Sequence, residues 1–194
     1  MAEAQPPYFS IDELEALGFG FIGRNVKVFR HSIIVNPAHV HLGHGCQIDD
    51  HVHIIAGQQL HIGNRVHIGC HSSILGGGTC ILQDYAGLSS GCRLVTGTDD
   101  FHGNAMTNPC VPPEFRAVKR GTLTLGKHVI VGCNTVILAD SVIGDGVAIG
   151  AASLVNGDLD PWTIYAGAPA RAKKVRPSAI ILRMEQELID RHGY

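Results

Sequence analysis

Small aliphatic residues recur along this chain in steps of six, which is neither the 3.6-residue period of a helix nor the two-residue period of a plain strand. Before residue 95 two extra residues follow every third step, so that each row of three steps has twenty residues. The members of this hexad series are Ile22, Val28, Ile34, Leu42, Ile48, Ile54, Ile62, Ile68, Ile74, Leu82, Leu88, Leu94, Leu125, Val131, Ile137, Ile143, Ile149 and Val155. Six-residue repeats are typical of a β-helix, in which three short strands make one triangular coil. The pattern therefore predicts an all-β chain wound as a parallel β-helix.

Positions four residues after the hexad series hold mostly small or β-branched residues. They are Val26, Ser32, Ala38, Cys46, Val52, Val66, Ser72, Ala86, Cys92, Val129, Thr135, Ser141, Val147 and Ser153. We expect these side chains to point inward near the corners of the triangle, where a large side chain would collide with the next face. Gln58 is the main exception. Cys46 and Cys92 are accordingly predicted to be packing residues.

The two ends of the chain predict helices. Ser10 and Glu13 have the spacing of a capping box, and Gly18 is a stop signal. Near the other end, apolar residues return at helical spacing after Pro177, in the segment SAIILRMEQELIDRHG. We predict an N-terminal helix and cap over 1–21, a β-helix over 22–176 and a C-terminal helix over 177–194. A loop of about 97–120, which breaks the hexad series, should leave the β-helix.

Composition excludes several classes of function. The chain has 194 residues, 45% of them hydrophobic and 16% charged, with a net charge of -2. This balance gives no electrostatic case for binding nucleic acid or an anionic membrane. The sequence shows no signal peptide and no apolar run that could span a bilayer, so we expect a soluble, cytoplasmic protein without membrane insertion. Its six cysteines contain no CxxC pair and are predicted to be free thiols.

The repeats and the segment that closes them resemble the hexapeptide-repeat acyltransferases. The resemblance covers roughly 22–176 and is most specific in LGKHVIVGCNTVILADSVIGDGVAIGAASLVNGDLDPWTIYAGAPARAKKVR. The loop DDFHGNAMTNPCVPPEFR is similar to that of members which acetylate sugars for surface polysaccharides such as O-antigen or exopolysaccharide. The resemblance implies a left-handed β-helix, a homotrimer and acetyl-CoA as the donor. It implies as acceptor a hydroxyl or amino group of a sugar or nucleotide-linked sugar, and it implies no metal.

The same resemblance implies which residues contact the cofactor. Cys133 stands where relatives contact the pantetheine, and Ala151 where main-chain groups meet the amides of the cofactor. Asn156 matches a polar contact. Arg171 and Lys174, with Lys173 between them, fall where basic residues meet the nucleotide phosphates. We expect these three cations, together with Arg176, to offset the negative charge of an anionic cofactor.

The loop carries the residues that suit acyl transfer, which needs a base for the proton of the acceptor and donors for an oxyanion. Many relatives place a histidine directly after the preceding strand, where this chain has Asp99, and the nearest histidine is His102. We predict catalytic roles for His102 and Asp99. Asp100, Asn104 and Arg116 are predicted to bind the acceptor. An amine acceptor that needs little help from a protein base stays an open alternative.

Histidines twenty residues apart should stack on neighbouring coils. His31, His51 and His71 form one predicted column, and His41 and His61 another. We expect both to lie on the outer surface or at an interface.

Two other functions are compatible with the repeats. One is a γ-class carbonic anhydrase on the same fold, for which His31, His67 and His71 have nearly the required spacing. The other is a non-catalytic scaffold. A scaffold has no use for the polar loop or for the basic closing segment, and acetyl-CoA binding would distinguish it from an acyltransferase.

Overall fold

A computed structural model describes residues 7–193 and shows three long faces that wind around one axis. Face 1 consists of Phe21–Ile22, Val40–Leu42, Gln59–Ile62, Thr79–Leu82, Thr122–Leu125 and Val142–Ile143. Face 2 consists of Lys27–Val28, Gln47–Ile48, His67–Ile68, Gly87–Leu88, Ile130–Val131, Ala148–Ile149, Thr163–Ala166 and Arg171–Val175. Face 3 consists of Ile33–Val35, His53–Ile55, Ser73–Leu75, Arg93–Val95, Val136–Ile137 and Leu154–Val155.

Successive coils pair in parallel and in strict register. Leu42 lies beside Ile62, and Ile62 beside Leu82, so a coil before the loop takes twenty residues. Leu125 lies beside Ile143, so a coil after the loop takes eighteen. Among the pairs within the three faces, only the final one, between Thr163–Ala166 and Arg171–Val175, is antiparallel. This turned-back strand covers the edge that the last coil would otherwise expose.

The hexad series forms the core, as predicted. Ile22 and Ile34 at the N-terminal end are half-buried, and every later member is at most 4% exposed. Inward and outward positions alternate along each strand, so the hexad residue and the residue two positions before it point inward while their neighbours point outward. The interior is therefore a stack of aliphatic layers with smaller residues near the corners.

The predicted corner set is buried with one error. Cys46 and Cys92 are 1% and 0% exposed, and burial raises the pKa of the Cys46 thiol to about 11, in keeping with a packing role. Ala38, however, is exposed, as is Gln58. The two extra residues of each twenty-residue coil lie between face 3 and the next corner. They move the inward position two residues along, to Val40, Leu60 and Cys80, which are buried.

The loop leaves the coil between face 3 and face 1. Its ends, Gly97–Thr98 and Lys119–Arg120, pair in antiparallel fashion, so the excursion starts and closes as a hairpin at the predicted bounds. Coil winding then continues in register, with Leu82 beside Leu125. Residues 99–118 can therefore change without disturbing the core. The short Pro113–Phe115 3-10 helix is the one helical turn within them.

Two helices close the ends of the described chain. The first, Ile11–Ala16 (α1), has the predicted capping box of Ser10 and Glu13 and buries Leu14 completely against the first coil. Arg30 holds α1 in place through two hydrogen bonds to the Glu13 carboxylate, of 2.7 and 2.8 Å, and these lower the pKa of Glu13 to about 2. The predicted division at 1–21, 22–176 and 177–194 stays a prediction.

The second helix, Ala179–His192 (α2), packs its Glu185 against His128, with 2.9 Å between the carboxylate oxygen and Nε2. Both side chains are largely buried. The His128 ring also stacks on Tyr85, with 4.9 Å between ring centroids. Within residues 7–193, no helix is long and apolar enough to cross a membrane.

The corrected corner position makes a direct prediction about stability. Leu60→Ala removes a side chain that is 1% exposed, so it should lower the free energy of unfolding by roughly 2–5 kcal/mol. Gln58→Ala, two residues earlier and exposed, should change it by less than about 0.5 kcal/mol. Denaturant unfolding of the two variants measures both values. Equal effects would contradict the assignment of Leu60 as the inward residue.

Candidate active site

The acidic residues of the loop give the loop its shape. The Asp100 carboxylate accepts hydrogen bonds from the backbone N–H groups of His102, Asn104 and Ala105, and these bonds, led by that of His102, lower the pKa of Asp100. Asp99 accepts one from the backbone N–H of Asn108, at 3.1 Å. The Asp100 bonds use both carboxylate oxygens, whereas the Asp99 bond uses only Oδ2, so Asp99 Oδ1 keeps lone pairs that can accept from a ligand.

The remaining predicted loop residues lie apart from the coil. His102 and Asn104 are exposed, and the His102 imidazole makes no hydrogen bond within residues 7–193. Arg116 is half-buried at the base of the loop, and its Nε atom is buried without an acceptor among the described residues. These side chains are therefore not hydrogen-bonded to any other candidate site residue among the described residues.

A groove of about 450 Å³ lies between the loop and face 3, and we call it the loop groove. Its wall is formed by Val95, Gly97, Thr98, Phe101, Lys119, Leu138, Ala139, Asp140 and Asn156. Lys119 and Asp140 pair across it at 2.7 Å, which lowers the pKa of Asp140. The predicted cofactor residue Asn156 thus shares a groove with the base of the predicted catalytic loop.

The basic closing segment adjoins this groove. Asn156 and Arg171 both line a second groove of about 250 Å³. Arg171, Lys173 and Lys174 are exposed on one strand, and none of them pairs with a carboxylate among the described residues. Three unpaired cations fit the phosphates of a nucleotide cofactor. Arg176 does not belong with them: its Nη1 atom donates to the carbonyls of His128 and Gly146, at 2.9 Å each.

Cys133 and Ala151 occupy the other edge of face 3. Both precede a face 3 strand and lie one above the other at the corner after face 2, whereas Asn156 and the loop follow a face 3 strand. Gly132 allows close stacking there, since an added Cβ would come within 2.5 Å of the Ala151 nitrogen. We call the edge that contains Cys133 and Ala151 the leading edge of face 3, and the edge that contains Asn156 and the loop the trailing edge. The predicted site residues are thus divided between opposite edges of one face.

The leading edge has a groove of its own, of about 310 Å³, which we call the histidine groove. It contains Cys133 together with Ser89, Ser90, Asp49 and His67. His67 Nε2 lies 2.8 Å from an Asp49 carboxylate oxygen. When Nε2 carries the ring proton, the Nδ1 atom of His67 has a free lone pair that can accept a proton from a ligand.

Sequence reasoning missed this Asp49–His67 pair. The signal was present, because Asp49 directly follows one hexad residue and His67 directly precedes the hexad residue beside it on the next coil. Residues in those two positions meet on the outside of face 2. Gly87, next to His67 in register, has no side chain to fill the space, which opens the groove.

The predicted histidine columns exist. The rings of His31, His51 and His71 stack with centroid distances of 5.5 and 5.2 Å, and those of His41 and His61 lie 6.1 Å apart. The trio suggested by a carbonic anhydrase is not assembled within one chain. His31 and His71 are two coils apart, with His51 between them, and His67 pairs with Asp49 instead. The six cysteines are free, as predicted.

The fold and the grooves at both edges of face 3 define an acyltransferase of the left-handed β-helix class. A hexapeptide-repeat acetyltransferase from Vibrio cholerae has the same fold, with a TM-score of 0.59 and 20% identity over 90% of this chain and 84% of that one. Comparison with models of protein families finds no match. Individual relatives are much more similar.

The chain belongs to the hexapeptide-repeat acyltransferases that modify sugars. It is 35% identical to a dTDP-4-amino-4,6-dideoxy-D-glucose acyltransferase of Escherichia coli, over 89% of this chain and 97% of that protein. Its structure is similar to that of AntD, an N-acyltransferase from Bacillus cereus solved with dTDP and 3-hydroxybutyryl-CoA. The TM-score is 0.90 at 34% identity, over 98% of this chain and 100% of that one. The carbonic anhydrase and scaffold alternatives are not retained.

The catalytic role predicted for His102, in the loop, can be tested against that of His67, in the histidine groove. If His102 is the general base, His102→Ala should lower turnover about 10²-fold or more with little change in melting temperature, because an exposed loop residue contributes no core packing. The acid limb of the pH–rate profile should disappear as well, because the variant has no imidazole to protonate at that position.

His67→Asn is the matched comparison, since His67 is also exposed but lies on the coil. If His102→Ala retains the acid limb and His67→Asn removes it, the Asp49–His67 pair supplies the base and the prediction for His102 is wrong. If neither variant loses the limb, the ionisation belongs to the acceptor, as expected for an amine that attacks unaided.

Proposed function

We propose that this enzyme transfers an acetyl group from acetyl-CoA to the amino group of a sugar linked to dTDP. The observation that carries the proposal is the agreement, over nearly the whole of both chains, with an acyltransferase of a dTDP-linked amino sugar and with an N-acyltransferase. Acetyl as the transferred group is proposed from the similarity to sugar O-acetyltransferases. AntD has also been solved with coenzyme A and dTDP-4-amino-4,6-dideoxyglucose together, at a TM-score of 0.90. That complex holds the amino-sugar acceptor and the coenzyme that carries the acyl group in one protein.

Three features of this chain fit coenzyme A. Arg171, Lys173 and Lys174 offer unpaired positive charge for its phosphates. Asn156 lies in the groove beside them. On the leading edge, the exposed Cys133 and Ala151 leave backbone groups accessible for the amides of the pantetheine arm. A strand of small residues lets a long, thin ligand follow the backbone closely.

The acceptor side of the site is supported by a spacing that both enzymes share. AntD has been solved with one aspartate replaced by Asn or Ala, and with a serine ten residues before it replaced by Ala, Cys or Thr. In this chain Ser89 and Asp99, or Ser90 and Asp100, have the same spacing. We propose that such a pair binds the sugar near its amino group, with Asn104 and Arg116 contributing further polar contacts.

An amino acceptor also reduces what the protein must supply. A sugar amine with a pKa of about 8 is partly neutral at physiological pH and can attack a thioester carbonyl directly. The tetrahedral intermediate then loses the amine proton and expels the thiolate of coenzyme A. His102, brought by the loop, is the proposed proton acceptor, assisted by the neighbouring Asp99 carboxylate.

The site as proposed requires at least one neighbouring chain, because its parts lie on opposite edges of face 3, and the family resemblance supplies the number three. Ser89, Ser90 and Cys133 line the leading edge, whereas the loop departs from the trailing edge. Several outward side chains on face 3 are apolar and exposed in one chain, with Ile33 at 55% and Val35 and Ile55 at 39% each.

The loop exposes apolar side chains in the same way, and they include Phe101 at 89% and Phe115 at 57%. Surface of this kind favours burial against another subunit. In the proposed trimer the loop of one chain covers the leading edge of the next and completes its histidine groove. Roles in O-antigen or exopolysaccharide biosynthesis and a cytoplasmic location stay predictions.

The proposal is tested by incubating the purified protein with acetyl-CoA and dTDP-4-amino-4,6-dideoxy-D-glucose. We expect release of the coenzyme A thiol and a product heavier by one acetyl group in the mass spectrum. The matched control acceptor is the corresponding dTDP-sugar with a hydroxyl in place of the amine, which should react far more slowly. Absence of thiol release with the amino sugar would contradict the proposed function.

Arg171→Ala combined with Lys174→Ala ties this activity to the proposed cofactor site. Each charge-assisted contact contributes roughly 1.5–3 kcal/mol, so the double variant should raise the KM for acetyl-CoA at least about 10-fold while leaving the KM for the sugar unchanged. An unchanged KM for acetyl-CoA would show that Arg171 and Lys174 do not bind the phosphates of coenzyme A.

If each active site is built from two chains, two variants that are inactive alone should restore activity when they assemble in the same oligomer. One replaces residues 101–117 by a short Gly-Ser turn, and the other is Ala151→Phe, which fills the leading edge. Co-expressed with different tags and purified through both, mixed trimers should regain activity, because some of their interfaces combine an intact loop with an intact edge. Activity no higher than that of either variant alone would contradict a site built from two chains.

A further inference from the structure

Outside the proposed acyl-transfer site, three side chains at the N-terminal end of the coil converge on one point. His31, Asp50 and His51 each offer a ligand atom, and these atoms all lie within 4.8 Å of one another. His31 Nδ1 is 3.0 Å from Asp50 Oδ1, and His51 Nε2 is 3.6 Å from Asp50 Oδ2. From these atoms we propose that the corner between the first two coils binds one transition-metal cation per chain, with Zn²⁺ as the preferred ion.

The distances fit tetrahedral coordination. Zinc binds imidazole nitrogen at 2.0–2.1 Å and carboxylate oxygen at 2.0–2.2 Å, so two ligands of a tetrahedral zinc lie about 3.3–3.4 Å apart. The two observed separations fall on either side of this value, but they reach different oxygens of Asp50, so a small rotation of the exposed carboxylate would bring one oxygen to both imidazoles. Two imidazoles and one carboxylate form a donor set that selects zinc and its neighbours over magnesium or calcium. The fourth position is left to water.

The ligands are held in place by their neighbours. The His51 ring lies between the rings of His31 and His71, with interplanar angles of 16° and 6°, which fixes its plane. The Asp50 carboxylate accepts a hydrogen bond from the backbone N–H of His51 at 3.1 Å. Contacts of this kind orient metal ligands before the metal arrives. The stacking follows from the twenty-residue coil, which repeats the same corner position directly above itself.

The site is open to the solvent and joins two coils. The side chains of His31, His51 and Asp50 are 70%, 57% and 34% exposed, so a cation can reach them. His31 belongs to the first coil, whereas Asp50 and His51 belong to the second. A bound cation would therefore fasten together the coils at the N-terminal end, and it should raise thermal stability because it binds only the folded state.

Binding is tested with metal-free protein that carries no histidine tag. Titration with Co²⁺ should give the intense visible absorption of tetrahedral cobalt, reach one equivalent per chain and be reversed by Zn²⁺. Equilibrium dialysis with Zn²⁺ gives the stoichiometry independently. Weak absorption typical of octahedral cobalt, or no binding, would overturn the proposal.

His51→Asn is the decisive variant, because asparagine accepts the left-handed backbone that His51 adopts, with φ 54°. It should weaken binding by more than about 10-fold and abolish the rise in melting temperature with Zn²⁺. His31→Gln, on the first coil, should do the same. Unaltered circular dichroism without metal confirms that each variant is folded.

His71→Asn is the matched control: it has the same corner position one coil later and a similar φ of 59°, but it lies outside the proposed ligand set. It should retain one bound cation, with a smaller loss of affinity than His51→Asn, because it removes a ring stack and no ligand. Equal binding by His51→Asn and the native chain would show adsorption to surface histidines only, and loss of binding in His71→Asn would show that the ligand set is wrong.

Discussion

The structure depends on a narrow interior that admits, on each face of each coil, one aliphatic hexad side chain and one inward residue two positions before it. Parallel hydrogen bonding between successive coils fixes the register, and the layer formed by Leu42, Ile62 and Leu82 shows how strictly it repeats. A core of this kind has no room for polar side chains of any size. Chemistry can therefore be placed only at the corners, on the outer faces or in an excursion from the coil, and every candidate site residue of this chain lies in one of those places.

This constraint explains what could be predicted from the sequence. The six-residue period gave the core almost completely, because inward positions are decided within one hexad. The loop bounds followed from the positions where that period stops and resumes. Ala38 was placed wrongly because the two-residue extension of a twenty-residue coil could lie on either side of the corner, and only the register of Val40 beside Leu60 decides between them.

The candidate site was harder to predict because its contacts join different coils. Asp49 and His67 are eighteen residues apart and become neighbours only when the coil length is known. Arg176 looked like one more cation for a phosphate, whereas its guanidinium is used to bind the carbonyls of His128 and Gly146. The roles taken from resemblance stay predictions, and the position of Cys133 and Asn156 on opposite edges of face 3 could not be read from the linear sequence.

The same register that builds the core also builds ladders of like residues on the outside. His31, His51 and His71 repeat a corner position, and the column continues through Gly91 and Asn134 into the coils that carry the proposed cofactor site. In a globular fold, moving one polar residue disturbs its packing neighbours. On a coil corner each position is exposed and supported by backbone alone, so histidines can accumulate there without cost to the core. A second ligand-binding function at the N-terminal coils is therefore compatible with acyl transfer further along the same edge.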